Sequence, residues 1–233
     1  MEAFKKPVLT TKNDMDSLLG QIWPGGMTII ENSASFGGEF ILHSFIHYSK
    51  RKGMPLVVED IFDTLQIYAT HLELMGVSLK NEDMKVIKVG GVEEVGDVIG
   101  RIQFENDPHV YQQKLEDELR KVETKGPYIH LVLGLERLLA LQDSAYSTYT
   151  LLNLIRRKLG DKRAVNVYLI ETSIVEGLRF NPLPMLEDIA TSVAELLDDG
   201  ELIRIKLRKS VFTLTMQKAY ILVSPREILR WWE

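Results

Sequence analysis

The residues best placed to do chemistry lie between Thr28 and Phe40. Thr28-Ile29-Ile30 is an apolar run, Glu31-Asn32-Ser33-Ala34-Ser35-Phe36-Gly37-Gly38 is built of small and polar residues, and Glu39-Phe40 opens an amphipathic segment. A strand, a small-residue loop and a helix start, in that order, form a cradle for phosphate. The free N–H groups of the first helical turn and the helix dipole both face the anion. The phosphate-binding pattern G-x-x-x-x-G-K-[ST] adds a Lys that reaches the β- and γ-oxygens and a hydroxyl that holds Mg²⁺. Here Gly38 stands in the Lys position and Glu39 in that of Ser/Thr. A carboxylate about 4 Å from a phosphate repels it by roughly 4 kcal/mol at an effective dielectric near 20. The helix dipole returns only ~1 kcal/mol. The layout is that of a phosphate loop, and tight binding of ATP or Mg²⁺ is not expected.

Other candidates are weaker. Glu59-Asp60 could supply a general base, but acids before a helix also serve its first turn. Glu39, His43 and His47 recur every four residues and share one helix face; two His and a carboxylate could hold a divalent metal. The catalytic Glu that usually lies between such His residues is missing, so a polar helix face beside Tyr48 is expected and no metal. His71, His109 and His130 look isolated, and no G-x-S-x-G elbow starts a Ser hydrolase. Arg204, Lys206, Arg208 and Lys209 cluster on one segment, where they could guard a sheet edge or hold a single strand of nucleic acid. Trp231-Trp232 either docks on its own domain or anchors a partner.

These residues are carried by alternating strand and helix patterns. Strands are predicted at 27–30, 55–58, 85–89, 128–133, 165–170 and 202–207, and helices at 39–51, 59–75, 108–122, within 135–158, and at 184–197. Residues 98–104 read as the extra strand of a hairpin, making 90–104 an insertion; 211–216 and 219–223 read as a closing antiparallel hairpin. The helix over 111–120 is densely charged, as solvated faces are. Apolar strands separated by helices predict a three-layer α/β fold with a mostly parallel sheet and a C-terminal antiparallel edge. A single domain over 1–233 is expected, with a short tail at 224–233.

Composition narrows the function classes. The 233 residues are 45% hydrophobic and 26% charged, as in an ordinary globular chain. A net charge of -5 argues against a broad grip on nucleic acid. With no Cys, disulfides, thiolate zinc sites and a Cys nucleophile are excluded. No apolar run approaches the ~18 residues of a membrane span, and Met1–Glu2-Ala3-Phe4-Lys5-Lys6-Pro7 precedes no signal-type run, so a cytoplasmic location is expected.

The order of these elements over about 14–224 resembles the RecA-like core of the KaiC family of P-loop ATPases, and more narrowly an archaeal group whose phosphate loop has decayed. The resemblance implies that Ser33, Ser35, Gly37, Gly38 and Glu39 stand where the family binds triphosphate and Mg²⁺. It also implies that Glu59 and Asp60 match the family's water-activating acids. By the same resemblance Lys206 and Arg208, with Ser210, match its Lys-x-Arg element, which reaches a neighbouring subunit's γ-phosphate. Where the family's Walker B strand ends in Asp, this chain has Gly134; the next carboxylate, Glu136, is expected on an exposed helix face. The implied function is a pseudo-ATPase that binds another protein or a second copy of itself. A weak nucleotide sensor and a DNA-repair accessory stand as alternatives.

Overall fold

Five strands buried along all or nearly all of their length dictate the architecture. A computed structural model of the chain describes residues 11–211 and 220–231. Its strands are β1 (Met27–Asn32), β2 (Leu56–Ile61), β3 (Lys85–Val89), β4 (Asp97–Ile102), β5 (Tyr128–Leu133), β6 (Ala164–Glu171), β7 (Ser192–Asp199), β8 (Leu202–Ser210) and β9 (Tyr220–Val223). They form one sheet in the order β4-β3-β2-β5-β6-β1-β7-β8-β9. The pairs from β4 to β7 are parallel; β8 runs antiparallel to both β7 and β9. Every residue of β1, β2 and β5 is buried, as a parallel sheet covered on both faces requires.

The helices are α1 (Lys12–Leu19), α2 (Gly38–Lys52), α3 (Thr64–Leu74), α4 (Pro108–Arg120), α5 (Leu135–Ala140), α6 (Ala145–Arg156), α7 (Thr172–Glu176), α8 (Leu183–Ile189) and α9 (Pro225–Arg230). One core lies under α1, α2, α3 and α9, with Phe45, Leu72 and Ile228 against Val58, Leu131 and Val167. The other lies under α4, α5, α6 and α8, with Leu115, Leu152 and Leu186 against Val57, Val132 and Tyr168. Alternate strand residues feed opposite cores, which is the period of two expected of buried strands. The three-layer α/β fold with an antiparallel C-terminal edge is therefore present. Among the described residues no helix is long and apolar enough to cross a membrane.

Two sequence expectations are corrected. The hairpin expected within 90–104 is instead a parallel pair: Lys85 faces Asp97 and Val89 faces Ile102. Gly90 and Gly91, at φ of 65° and 70°, turn the chain back across the sheet end, and Gly96 turns it again before β4. The helix expected over 184–197 stops at Ile189, because Ala190 is extended (φ -68°, ψ 143°), and Ser192–Asp199 is a strand between β1 and β8. Its Val193 and Leu196 enter opposite cores, so tertiary burial overrides local helical pattern. Of the expected closing hairpin, Tyr220–Val223 is a strand that pairs with β8, and 212–219 lie outside the described residues.

Candidate functional site

The phosphate-loop counterpart joins β1 to α2 at the carboxyl end of the sheet, where ligands of open α/β folds sit. Its interior is filled by side chains of the chain itself. Asn32 Nδ2 donates to both carboxylate oxygens of Glu171, at 3.0 and 2.9 Å. Tyr68 Oη donates to Glu171 Oε1 at 2.6 Å. The Tyr68 ring lies so close to Gly38 that a Cβ there would meet its Cζ at 2.6 Å. Ser33 Oγ meets Thr172 Oγ1 at 2.9 Å, and Asp198 accepts both the N–H and the hydroxyl of Ser35. Glu39, buried, accepts the Gly37 N–H at 3.3 Å and pairs with His71 Nδ1. The polar side chains of the loop and the N–H groups of Ser35 and Gly37 are thus spent on internal bonds, and the surrounding charges are carboxylates.

The positions that sequence spacing offers for a metal lie apart. Gly134 ends β5 at φ 86°, and a Cβ there would lie 2.6 Å from the Ile61 carbonyl oxygen. An Asp is excluded twice, by backbone conformation and by space. Glu136 is wholly buried rather than exposed, a correction that follows from α5 packing its first turn under the sheet end. Neither of its carboxylate oxygens meets a donor in hydrogen-bond geometry, although the N–H groups of Glu136 and Glu171 stand nearby. Burial, with the Glu171 charge adding, pushes its carboxyl up to about 7. Glu39, His43 and His47 do not converge: Glu39 turns to His71, while the His43 and His47 rings pack edge-on at 4.4 Å. Burial pulls His43 down to about 4, so it is neutral at pH 7. No group of three metal-capable side chains converges among the described residues.

The acidic pair splits across the sheet, as adjacent strand residues must. Asp60 Oδ1 accepts the Leu65 N–H at 2.8 Å and so caps α3; its Oδ2 binds Lys88 Nζ at 2.6 Å. Lys88 also pairs with Asp63. Burial lowers the Lys88 ammonium, but the two carboxylates outweigh it and hold it above its usual value. Glu59 points to the opposite face, into a buried polar cluster. Tyr111 donates to Glu59, Lys158 Nζ stands 3.9 Å away, and His130 Nε2 lies 3.0 Å from Glu59 Oε2 but out of hydrogen-bond alignment. Burial raises the Glu59 carboxyl, yet Lys158, His130 and Tyr111 together hold it below its usual value. His71 and His130 are therefore not isolated. Both lie where sequence spacing is silent, paired over 32 and 71 positions with Glu39 and Glu59.

In the Lys-x-Arg segment, the Arg turns to acids of β1 and α8. Arg208 binds Glu31 at 2.6 Å and Glu187 at 2.9 Å, and Lys206 is exposed at the level of Glu195. Burial and Glu187 push Glu31 up to about 7 against the pull of Arg208. Arg204 binds Asp199, and Lys209 donates to the carbonyls of Glu187 and Asp188, so the basic cluster is largely spent. Trp231 packs on the core beneath α2, and its backbone carbonyl accepts from Lys12 Nζ at 2.7 Å; Trp232 lies outside the described residues.

The family described as "Pyrococcus protein of unknown function, DUF257" matches residues 17–220. No curated protein matches the chain. Among solved structures, protein PH0250 from Pyrococcus horikoshii OT3 is 26% identical over 91% of this chain and 98% of its own, with a TM-score of 0.75. The KaiC-like protein PH0186 from the same organism is 10% identical, covers 85% of this chain and 89% of its own, and has a TM-score of 0.59. The flagellar accessory protein FlaH from Methanocaldococcus jannaschii is 15% identical over 92% of both chains, with a TM-score of 0.57. The last two establish a RecA/KaiC-like fold and no activity.

Proposed function

We propose that this chain, which belongs to the DUF257 family of Pyrococcus proteins, is a non-hydrolysing scaffold on a RecA/KaiC-like fold. It acts in the cytoplasm as an interaction or assembly module for another protein or a second copy of itself. The observation that carries this is the Tyr68 ring and hydroxyl seated against Gly38 and bound to Glu171, where a triphosphate would rest. A ligand would have to displace that ring, break a charge-assisted hydrogen bond and face Glu39, Glu171 and Asp198. No Lys is in the loop to offset their charge. The loop tip adds support of a different kind: Phe36 is 58% exposed there, a residue suited to a protein contact and useless to a phosphate.

Calorimetric titration with Mg-ATP tests the first half. We expect no saturable binding that responds to Gly38→Val, and no turnover. Micromolar, Mg²⁺-dependent binding lost on Gly38→Val overturns the proposal. For the second half, light scattering over a range of concentrations and capture from native extract should both weaken on Phe36→Glu.

A further inference from the structure

On the far side of the molecule, α4, α6 and the amino ends of β5 and β6 enclose a cleft of about 670 Å³. That is within the range of small-molecule sites. Its walls carry Leu119, Val122 and Tyr128. Its rim carries Lys125, Arg157 and Lys162, all exposed and none in an ion pair with another described residue. The acids nearby are already taken: Glu116 by Arg120, and Asp161 by Arg163. Lys158 and Asn166 lie deeper. Asn166 is 2% exposed, its Oδ1 faces His130 Nδ1 at 3.3 Å, and its Nδ2 has no partner. Gln112, 5% exposed, likewise lines the cleft with its Oε1 unpartnered.

Buried donors and acceptors almost always find partners, and one left open beside a cavity marks a place for a bound group. Basic residues at the ends of α4 and α6 could simply offset the helix dipoles. That accounts for Arg120, Arg156 and the C-cap residue Arg157, but not for Lys125 and Lys162, which lie in loops, nor for Asn166 and Gln112. We infer that this cleft binds a small phosphorylated molecule. Its phosphate meets Arg157, Lys162 and Lys125, and its hydroxyl- or amide-bearing body reaches Asn166 and Gln112. The site is independent of the loop at the other end of the sheet.

Adenosine monophosphate, ribose 5-phosphate and inorganic pyrophosphate serve as probes, titrated by calorimetry into the full chain. We expect at least one of the two organic phosphates to bind saturably below about 1 mM. Arg157→Glu with Lys162→Glu should weaken it at least tenfold, with the melting temperature unchanged because both side chains are exposed. Asn166→Leu should weaken the organic phosphates and leave pyrophosphate unaffected. Gly38→Val should change neither, which separates this cleft from the loop. The inference is overturned if none of the probes binds, if the double charge reversal leaves binding intact, or if only single-stranded DNA binds through the same rim.

Discussion

The two ends of the sheet treat their polar groups in opposite ways. At the carboxyl end, where open α/β folds hold their ligands, Asn32 and Tyr68 bond Glu171, Ser33 bonds Thr172, Ser35 bonds Asp198 and Glu39 accepts the Gly37 N–H, which leaves an acidic, filled rim. At the amino end, Asn166 and Gln112 keep unpartnered atoms beneath a rim of Lys125, Arg157 and Lys162, and the space is open. Both ends belong to one RecA/KaiC-like scaffold, so the fold does not decide which can take a ligand. Open space and the sign of the charge left over do: the carboxyl end also keeps unpartnered oxygens, on Glu136, but they are acidic and closed in.

If the carboxyl rim is structural, breaking its pairs should unfold the chain. The largest effect is expected at Asp60, wholly buried against Lys88. Asp60→Ala leaves a buried ammonium with Asp63 as its remaining partner, and should cost about 3–5 kcal/mol in urea unfolding. Adding Lys88→Met should recover much of that loss. A silent Asp60→Ala would mean the pair is not a structural element.

Glu136 gives a test with a sign. Its carboxyl sits at about 7 in the folded chain against 4.5 for an ordinary Glu. Between those values the native state holds a proton that the unfolded chain has released, so stability falls as pH rises from about 4.5 to 7. The cost above pH 7 is at most about 3 kcal/mol. Glu136→Gln should remove it, raising stability at pH 8 and flattening the pH profile of unfolding through that window. A bound cation at this rim would reverse the sign, because it would favour the charged form.

Gly38→Ala comes next, at about 1–3 kcal/mol, since a Cβ must push the Tyr68 ring aside. Combined with Tyr68→Ala the added cost should vanish. If Gly38→Ala is neutral alone, the ring does not occupy the loop and the contrast between the two ends weakens.

Much of this contrast was legible in the residues, and some was not. The parallel strands announced themselves, because 128–133 and 165–170 are too apolar to face water. That the loop lacks the Lys and Ser/Thr of the phosphate-binding pattern is legible in Gly38 and Glu39. The residues filling the loop were not, because Tyr68, Glu171 and Asp198 come from three other elements at separations of 30 to 163 positions. One signal is plain in the residues: His130 and Asn166 interrupt the apolar runs 128–133 and 165–170. A polar side chain in a sheet covered on both faces must find a partner or line a cavity. Ser192–Asp199 was misread because Ala194, Glu195, Leu196 and Leu197 favour helix locally, while its place between β1 and β8 demands a strand.

The smallest effect is the most discriminating. Lys206, which the sequence resemblance sets opposite a phosphate-reaching Lys, is exposed and two positions from Arg208, which is tied to Glu31. Lys206→Ala should change stability by no more than about 0.5 kcal/mol, as for other surface substitutions. It should leave the response to Mg-ATP and to the organic phosphates untouched. Arg208→Ala should cost more, because it leaves Glu31 buried without its cation; that loss should grow above pH 7, where Glu31 ionises. A large effect of Lys206→Ala on nucleotide binding, with Arg208→Ala silent, would invert this order. It would make the carboxyl rim a ligand site.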